Sequence, residues 1–228
     1  MSLNTNEILN TYENLAIETK YDHIYKIIII GDSSVGKTAL LSKYLRGVVP
    51  SSPIPTVATE FATKMIQIKE GGYVKAQIWD TAGEEKYKSI TYHHYKKSVG
   101  ALILYDITKK STFDNVQNWY TDLTIQAEIG CVIALVGNKL DLIEKNERLR
   151  EVSREEAEIY AKNNNMLFFE TSALNGNNIN DIFEELIQSI YTEKRKIPYL
   201  NNIVGNKNNI NITTSKNKHL NAENECEC

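Results

Sequence analysis

The run Gly31-Asp32-Ser33-Ser34-Val35-Gly36-Lys37-Thr38 constrains the fold more than any other feature, because it matches G-x-x-x-x-G-K-[ST]. Such a loop needs a strand before it and a helix after it. Four consecutive isoleucines, Ile27 to Ile30, precede it, the mark of a strand covered on both faces. A helical stretch follows Thr38. Gly31 and Gly36 permit the tight backbone path. The amides of residues 34–39 then converge at a helix N-terminus, where backbone N–H groups hold phosphate. Lys37 reaches the β- and γ-phosphates, and the Thr38 hydroxyl suits Mg²⁺. The expected contacts are Gly31, Ser33, Ser34, Val35, Gly36, Lys37, Thr38 and Ala39.

The rest of the chain alternates strand and helix. Val74, Ala76 and Ile78 alternate with Lys75, Gln77 and Trp79, while Ala101–Ile107, Cys131–Val136 and Met166–Glu170 are buried-strand candidates. Ser153 with Glu156 is a capping box, and Ile182, Phe183, Leu186, Ile187 and Ile190 form one apolar helix face. Strands spaced by helices imply βαβ units and a mostly parallel sheet.

At 228 residues, with a formal charge of −3 and 42% apolar residues, the chain suits one α/β domain with some extra length. Mild acidity argues against a nucleic-acid binder. No run of 18 apolar residues, secretory leader or N-terminal glycine for myristoylation is present, and three cysteines make no disulfide framework. A reducing cytosolic compartment is expected. Residues 1–22 form a polar, acidic extension with Ile8, Tyr12, Leu15 and Ala16 on one helical stripe, either a loosely docked helix or a partner-binding arm. Residues 23–196 form the nucleotide-binding domain. Residues 197–228 form a hypervariable tail, Asn-rich and poor in large apolar groups, expected to be disordered.

The phosphate loop alone does not tell ATP from GTP. Asn138-Lys139-Leu140-Asp141, at the end of another strand, does. The Asp141 carboxylate can accept from N1–H and the 2-amino group of guanine, and adenine lacks both donors. Asn138 suits N7, the Lys139 stem can pack over the ring, and Ser172, Ala173 and Leu174 follow a further strand with the Ala173 amide set to meet O6. Asp80-Thr81-Ala82-Gly83 supplies an acid, Asp80, that holds Mg²⁺ through water, and a glycine, Gly83, whose N–H meets the γ-phosphate. The nucleotide is therefore expected to be GTP or GDP with Mg²⁺. A nucleotide kinase is disfavoured by Asn138–Asp141 and by the lack of an acceptor-substrate lid.

These motifs, with KAQIWDTAGEEKYKSIT (75–91), VGALILYDITKKSTFDNV (99–116), LVGNKLDL (135–142) and ETSAL (170–174), resemble the Rab family of small GTPases, most closely its recycling-endosome subfamily. The resemblance covers residues 21–196 and the last three residues. It implies a three-layer P-loop NTPase fold, the small G domain, with a mostly parallel six-stranded sheet flanked by helices. It implies a monomeric GTPase that acts as a switch in vesicle trafficking. Thr56 matches the threonine that ligates Mg²⁺ only with GTP bound, and residues 46–61 and 81–97 match the two switches. Phe61, Trp79 and His94 match the effector surface, His94 standing where a third aromatic is usual. Cys226-Glu227-Cys228 resembles the family's doubly geranylgeranylated terminus; the charges of the tail cancel, so a second lipid must supply the second anchoring signal. Implied partners are effectors, an exchange factor, a Rab-type GTPase-activating protein, an escort protein and a GDP-dissociation inhibitor. The implied location is the cytoplasmic face of endosomal, Golgi or secretory membranes, with cycling through the cytosol.

The chain departs from the family at several positions. Glu84 stands where a glutamine usually orients the attacking water. A carboxylate still accepts from that water but brings negative charge towards phosphate, so an altered intrinsic rate is expected, with Lys37 and Gly83 as the other catalytic candidates. At the extreme, the chain would be a nucleotide-stabilised adaptor that barely hydrolyses. Val49 and three prolines, Pro50, Pro53 and Pro55, imply a stiffer, more open first switch and faster nucleotide exchange. Ala58 replaces a usual glycine. The stretch Ile143–Leu149 lengthens the loop after Asp141, and Cys131 is read as a core thiol.

Overall fold

The computed structural model describes residues 21–50, 60–81 and 94–207, with backbone alone from 196 onward. The chain divides into a unit of Met1–Lys194 and a unit of Arg195–Cys228. In order, the elements are β1 (His23–Gly31), α1 (Lys37–Arg46), β2 (Glu60–Gln67), β3 (Tyr73–Asp80), β4 (Gly100–Asp106), α2 (Lys110–Asp114), α3 (Val116–Gln126), β5 (Val132–Asn138), α4 (Leu140–Lys145), a 3₁₀ turn at Glu147–Leu149, α5 (Arg154–Asn163), β6 (Leu167–Glu170) and α6 (Ile179–Lys207).

The six strands form one sheet in the order β2-β3-β1-β4-β5-β6. Only the β2–β3 pair is antiparallel. The isoleucine run explains the three layers. Ile27 and Ile29 face α1 and α6, packing with Leu40, Phe183, Leu186, Ile187 and Ile190. Ile28 and Ile30 face the other way, towards Trp119 and Leu123 of α3 and Ala157 of α5. All four isoleucines are fully buried, each worth about 2–3 kcal/mol of hydrophobic transfer. The strand order reverses at β1, whose neighbours are β3 and β4. Open α/β sheets bind ligands in the crevice at such a point, outside the carboxyl ends of the strands.

Three features differ from the sequence expectations. The sixth strand, β2, escaped location because it is an edge strand: only Ile66 among its residues is buried, and the period of two is lost. The stretch after Asp141 is helical rather than a longer loop, with the Asn146 side chain accepting from the Arg148 amide to start the 3₁₀ turn. Finally, α6 continues to Lys207, past residue 196 where disorder was expected to begin. The capping box is as expected: the Ser153 side chain accepts from the Glu156 amide at the start of α5.

Candidate functional site

The phosphate loop leaves β1 at Gly31, where φ is +136° and a Cβ would lie 2.2 Å from the Leu104 carbonyl oxygen of β4. It re-enters helix at Gly36, where φ is +100° and a Cβ would lie 2.3 Å from Asn138 Nδ2. Side chains are excluded at both points by conformation and by space. Helix α1 begins with no side-chain cap and no acid in its first turn, so its leading N–H groups are left for a ligand. Lys37 is 6% exposed and donates to the main-chain oxygens of Gly31, at 2.8 Å, and Asp32, at 2.7 Å. Burial pulls its ammonium down to about 8, against the opposing carboxylates of Asp80 and Asp32.

Asp80 ends β3 on the neighbouring strand. The Thr38 hydroxyl donates to Asp80 Oδ2 at 2.5 Å, while Oδ1 is buried with no hydrogen-bond partner among the described residues. Burial pushes this carboxyl up to about 6, although Thr38 and Lys37 pull it the other way. A buried, half-satisfied carboxylate beside a hydroxyl is an all-oxygen donor set suited to Mg²⁺. That ion uses one or two protein ligands and takes the rest from water and phosphate. Consistently, no group of three or more His, Cys, Asp or Glu side chains clusters as a metal cage among the described residues.

The residues expected to read the base form a second, tightly braced group. Asn138 Nδ2 donates to the Val35 carbonyl oxygen at 2.8 Å, and Asn138 Oδ1 accepts the Ala173 amide at 3.1 Å. One side chain thus ties the phosphate loop, β5 and the loop after β6 together. An amide nitrogen carries two hydrogens, so one remains for a base nitrogen. The Ala173 amide, expected to meet guanine O6, is engaged by Asn138 Oδ1; a base oxygen there would share that N–H or displace it. Asp141 is 6% exposed, and its Oδ1 accepts the Ser172 hydroxyl at 2.7 Å. Lys139, in the left-handed region at φ 74°, places its ammonium 2.6 Å from Asp106 Oδ2 at the end of β4. The Leu174 side chain points outward and is exposed. Arg150 grips Glu170 through both oxygens, at 2.6 and 3.1 Å, and so fixes the end of β6 from which this loop departs.

Phe61 and Trp79 are cross-strand partners of β2 and β3, with ring centroids 4.8 Å apart. The His94 ring centroid lies 5.3 Å from that of Trp79, so Trp79 touches both partners, and Phe61 is exposed. Cys131 is half-buried against the edge of the core rather than within it, and desolvation pushes its thiol up to about 12. Thr56, Gly83, Glu84, Cys226 and Cys228 lie outside the described residues, as do the helical stripe at 8–16 and the prolines at 53 and 55. Among the described residues, no helix is long and apolar enough to cross a membrane.

Sequence reasoning missed one group altogether. Asp32, the second residue of the phosphate loop, accepts from Trp119 Nε1 and from Asn115 Nδ2, both at 2.7 Å. The available signal was a carboxylate inside a phosphate-binding motif, where like charge requires an explanation.

The model of the Ras family matches residues 26–192. GTP-binding protein ypt3 of Schizosaccharomyces pombe is 45% identical over 174 residues, 76% of this chain and 79% of the relative. Ras-related protein rab-11.1 of Caenorhabditis elegans is 45% identical over 174 residues, 76% and 80% of the two chains. Ras-related protein RABA1g of Arabidopsis thaliana is 46% identical over 171 residues, 75% and 76% of the two.

Proposed function

The chain belongs to the Ras family and is a small GTPase of the Rab type, hydrolysing GTP to GDP and phosphate, and from that premise we propose that it works as a membrane-tethered switch of vesicle trafficking. The carrying observation is the convergence of Lys37, Thr38 and the half-satisfied Asp80 beside the brace of Asn138 and Ala173.

On this reading, Lys37 gives up its two carbonyl partners for phosphate oxygens. The first amides of α1, with Gly31 to Ala39, cradle the phosphates. Thr38 and Asp80 would hold Mg²⁺, which would supply positive charge against the phosphates. Asp141 reads the guanine edge, with Asn138, Lys139 and the Ser172–Leu174 loop around it. Thr56 and Gly83 report the γ-phosphate. Phe61, Trp79 and His94 present the surface that effectors read, and His94 shifts the effector set from that of a three-aromatic patch. Cys226 and Cys228 carry geranylgeranyl groups that hold the protein on the cytoplasmic face of endomembranes. An escort protein and a GDP-dissociation inhibitor move the lipidated chain through water. An exchange factor and an activating protein time the cycle.

Glu84 favours one further reading: a nucleotide-stabilised adaptor whose own hydrolysis is slow. Multiple-turnover phosphate release with and without a Rab-type activator separates the two, and single-turnover hydrolysis by the wild type and Glu84→Gln tests Glu84 itself. A faster Glu84→Gln supports the slowed switch; equal rates sink any role for Glu84. The guanine-nucleotide site itself is tested by thermal unfolding with Mg²⁺ and either GDP or ADP. GDP alone should stabilise, and equal stabilisation by ADP overturns the assignment.

A further inference from the structure

We propose that Trp119 and Asn115 are positioning residues for the phosphate loop, acting through the Asp32 carboxylate. This rests on the reading of Gly31–Thr38 as the phosphate site. The motif leaves its second position open, yet here that position carries a charge of the same sign as the ligand.

Asp32 is gripped from two sides. Inward, its main-chain oxygen accepts Lys37 Nζ at 2.7 Å. Outward, its Oδ1 accepts both Trp119 Nε1 and Asn115 Nδ2 at 2.7 Å, and Asn115 is itself held by Asn118 Nδ2 donating to its Oδ1 at 2.5 Å. When Lys37 turns to a phosphate, the inward grip on Asp32 is released and the outward grip remains. The outward grip thus keeps the loop's course constant between the empty and loaded states.

The donors are aimed by the core rather than by the loop. Trp119 is 2% exposed and packs in the β1–α3–α5 layer, so its ring orientation is fixed before any ligand arrives. The loop's own flank is open, with Ser33 and Ser34 exposed. A cavity of about 340 Å³ lies there, lined by Asp32, Ser33, Ser34, Asp106, Lys109 and Asn115 among others. Hydrogen bonds, not packing, therefore set where the carboxylate points. Bonds to a charged acceptor are strong and directional. Freed from them, the carboxylate would have room to rotate and would add repulsion towards any phosphate in the loop.

The experiment is a double-mutant cycle on the full chain, read as the release rate of a fluorescent GDP. Trp119→Phe keeps an aromatic ring and removes the donor; Asn115→Ala removes the other donor on a half-buried side chain. In the wild-type background each should speed release about tenfold, the scale of one charge-assisted hydrogen bond. In the Asp32→Ala background each should change it by less than about twofold, because the acceptor is gone. Equal acceleration in both backgrounds overturns the proposal, since a packing defect does not depend on Asp32. If Trp119→Phe fails to fold, Asn115→Ala completes the same cycle. Lys37→Ala separates the two levels of argument. If it leaves GDP release unchanged, the phosphate-loop reading falls and the proposal with it. If it speeds release while the cycle is additive, only the proposal falls.

Discussion

The two halves of the nucleotide site are built on opposite plans. The base half is finished: Asn138 bridges three segments, Ser172 holds Asp141, the Leu140 amide donates to the Thr171 carbonyl and the Thr171 amide donates to the Gly137 carbonyl. The phosphate half is provisional. Lys37 rests on carbonyls, Thr38 rests on Asp80, and one Asp80 oxygen has no partner among the described residues. Base recognition has to be selective, and selectivity comes from polar groups that cannot relax around the wrong edge. The phosphate side has to accept ligands of different charge, and its groups satisfy one another in bonds that are cheap to exchange. The site therefore joins a rigid reader to a convertible clamp.

The contrast can be broken at four points. Asp141→Ala should cost most, removing roughly four powers of ten of GDP-over-ADP preference, read by competition for a fluorescent nucleotide. A loss below tenfold would mean that the finished half is not the reader. Asn138→Ala should come next, since it strands the Val35 carbonyl and the Ala173 amide. It should destabilise the GDP-bound chain by about 4 kcal/mol in urea unfolding. An effect confined to nucleotide affinity, with stability intact, would contradict its role as a brace.

The phosphate half should show its provisional character in its pH response. Asp80 has a folded value of about 6 against 3.8 for the free carboxyl, so the folded state holds the proton more tightly. Its stabilising effect is complete below 3.8 and is lost as pH rises through 6, a loss of about 3 kcal/mol for the ligand-free chain. Asp80→Asn should flatten that slope; an unchanged slope would place the titration elsewhere. The smallest effect belongs to Ser34, held at φ 65° inside the loop. Ser34→Gly relieves left-handed strain and should stabilise the chain by up to about 1 kcal/mol in thermal unfolding. Destabilisation would show that the hydroxyl contributes more than the strain costs.

What the sequence revealed depended on how local the cause was. The isoleucine run, the two loop glycines and the capping Ser153 each act within a few residues, and all were legible. The Asn138 to Asp141 motif drew an expectation of base reading but gave no sign of the brace of three segments, because Val35 and Ala173 lie 103 and 35 residues away. The bond from Trp119 to Asp32 spans 87 residues and is invisible to any periodicity. Strand β2 was missed for a different reason: an edge strand with little burial leaves no apolar alternation to read.

Strand β1 is paired on both sides and covered on both faces. Its amides should exchange with solvent only when the whole domain unfolds. Damage to the core then has a particular signature. It lowers the share of molecules that are competent at any moment and leaves the competent ones binding normally, so a destabilised variant would register as an apparent affinity weakened by that share, with full occupancy still reached at saturating ligand.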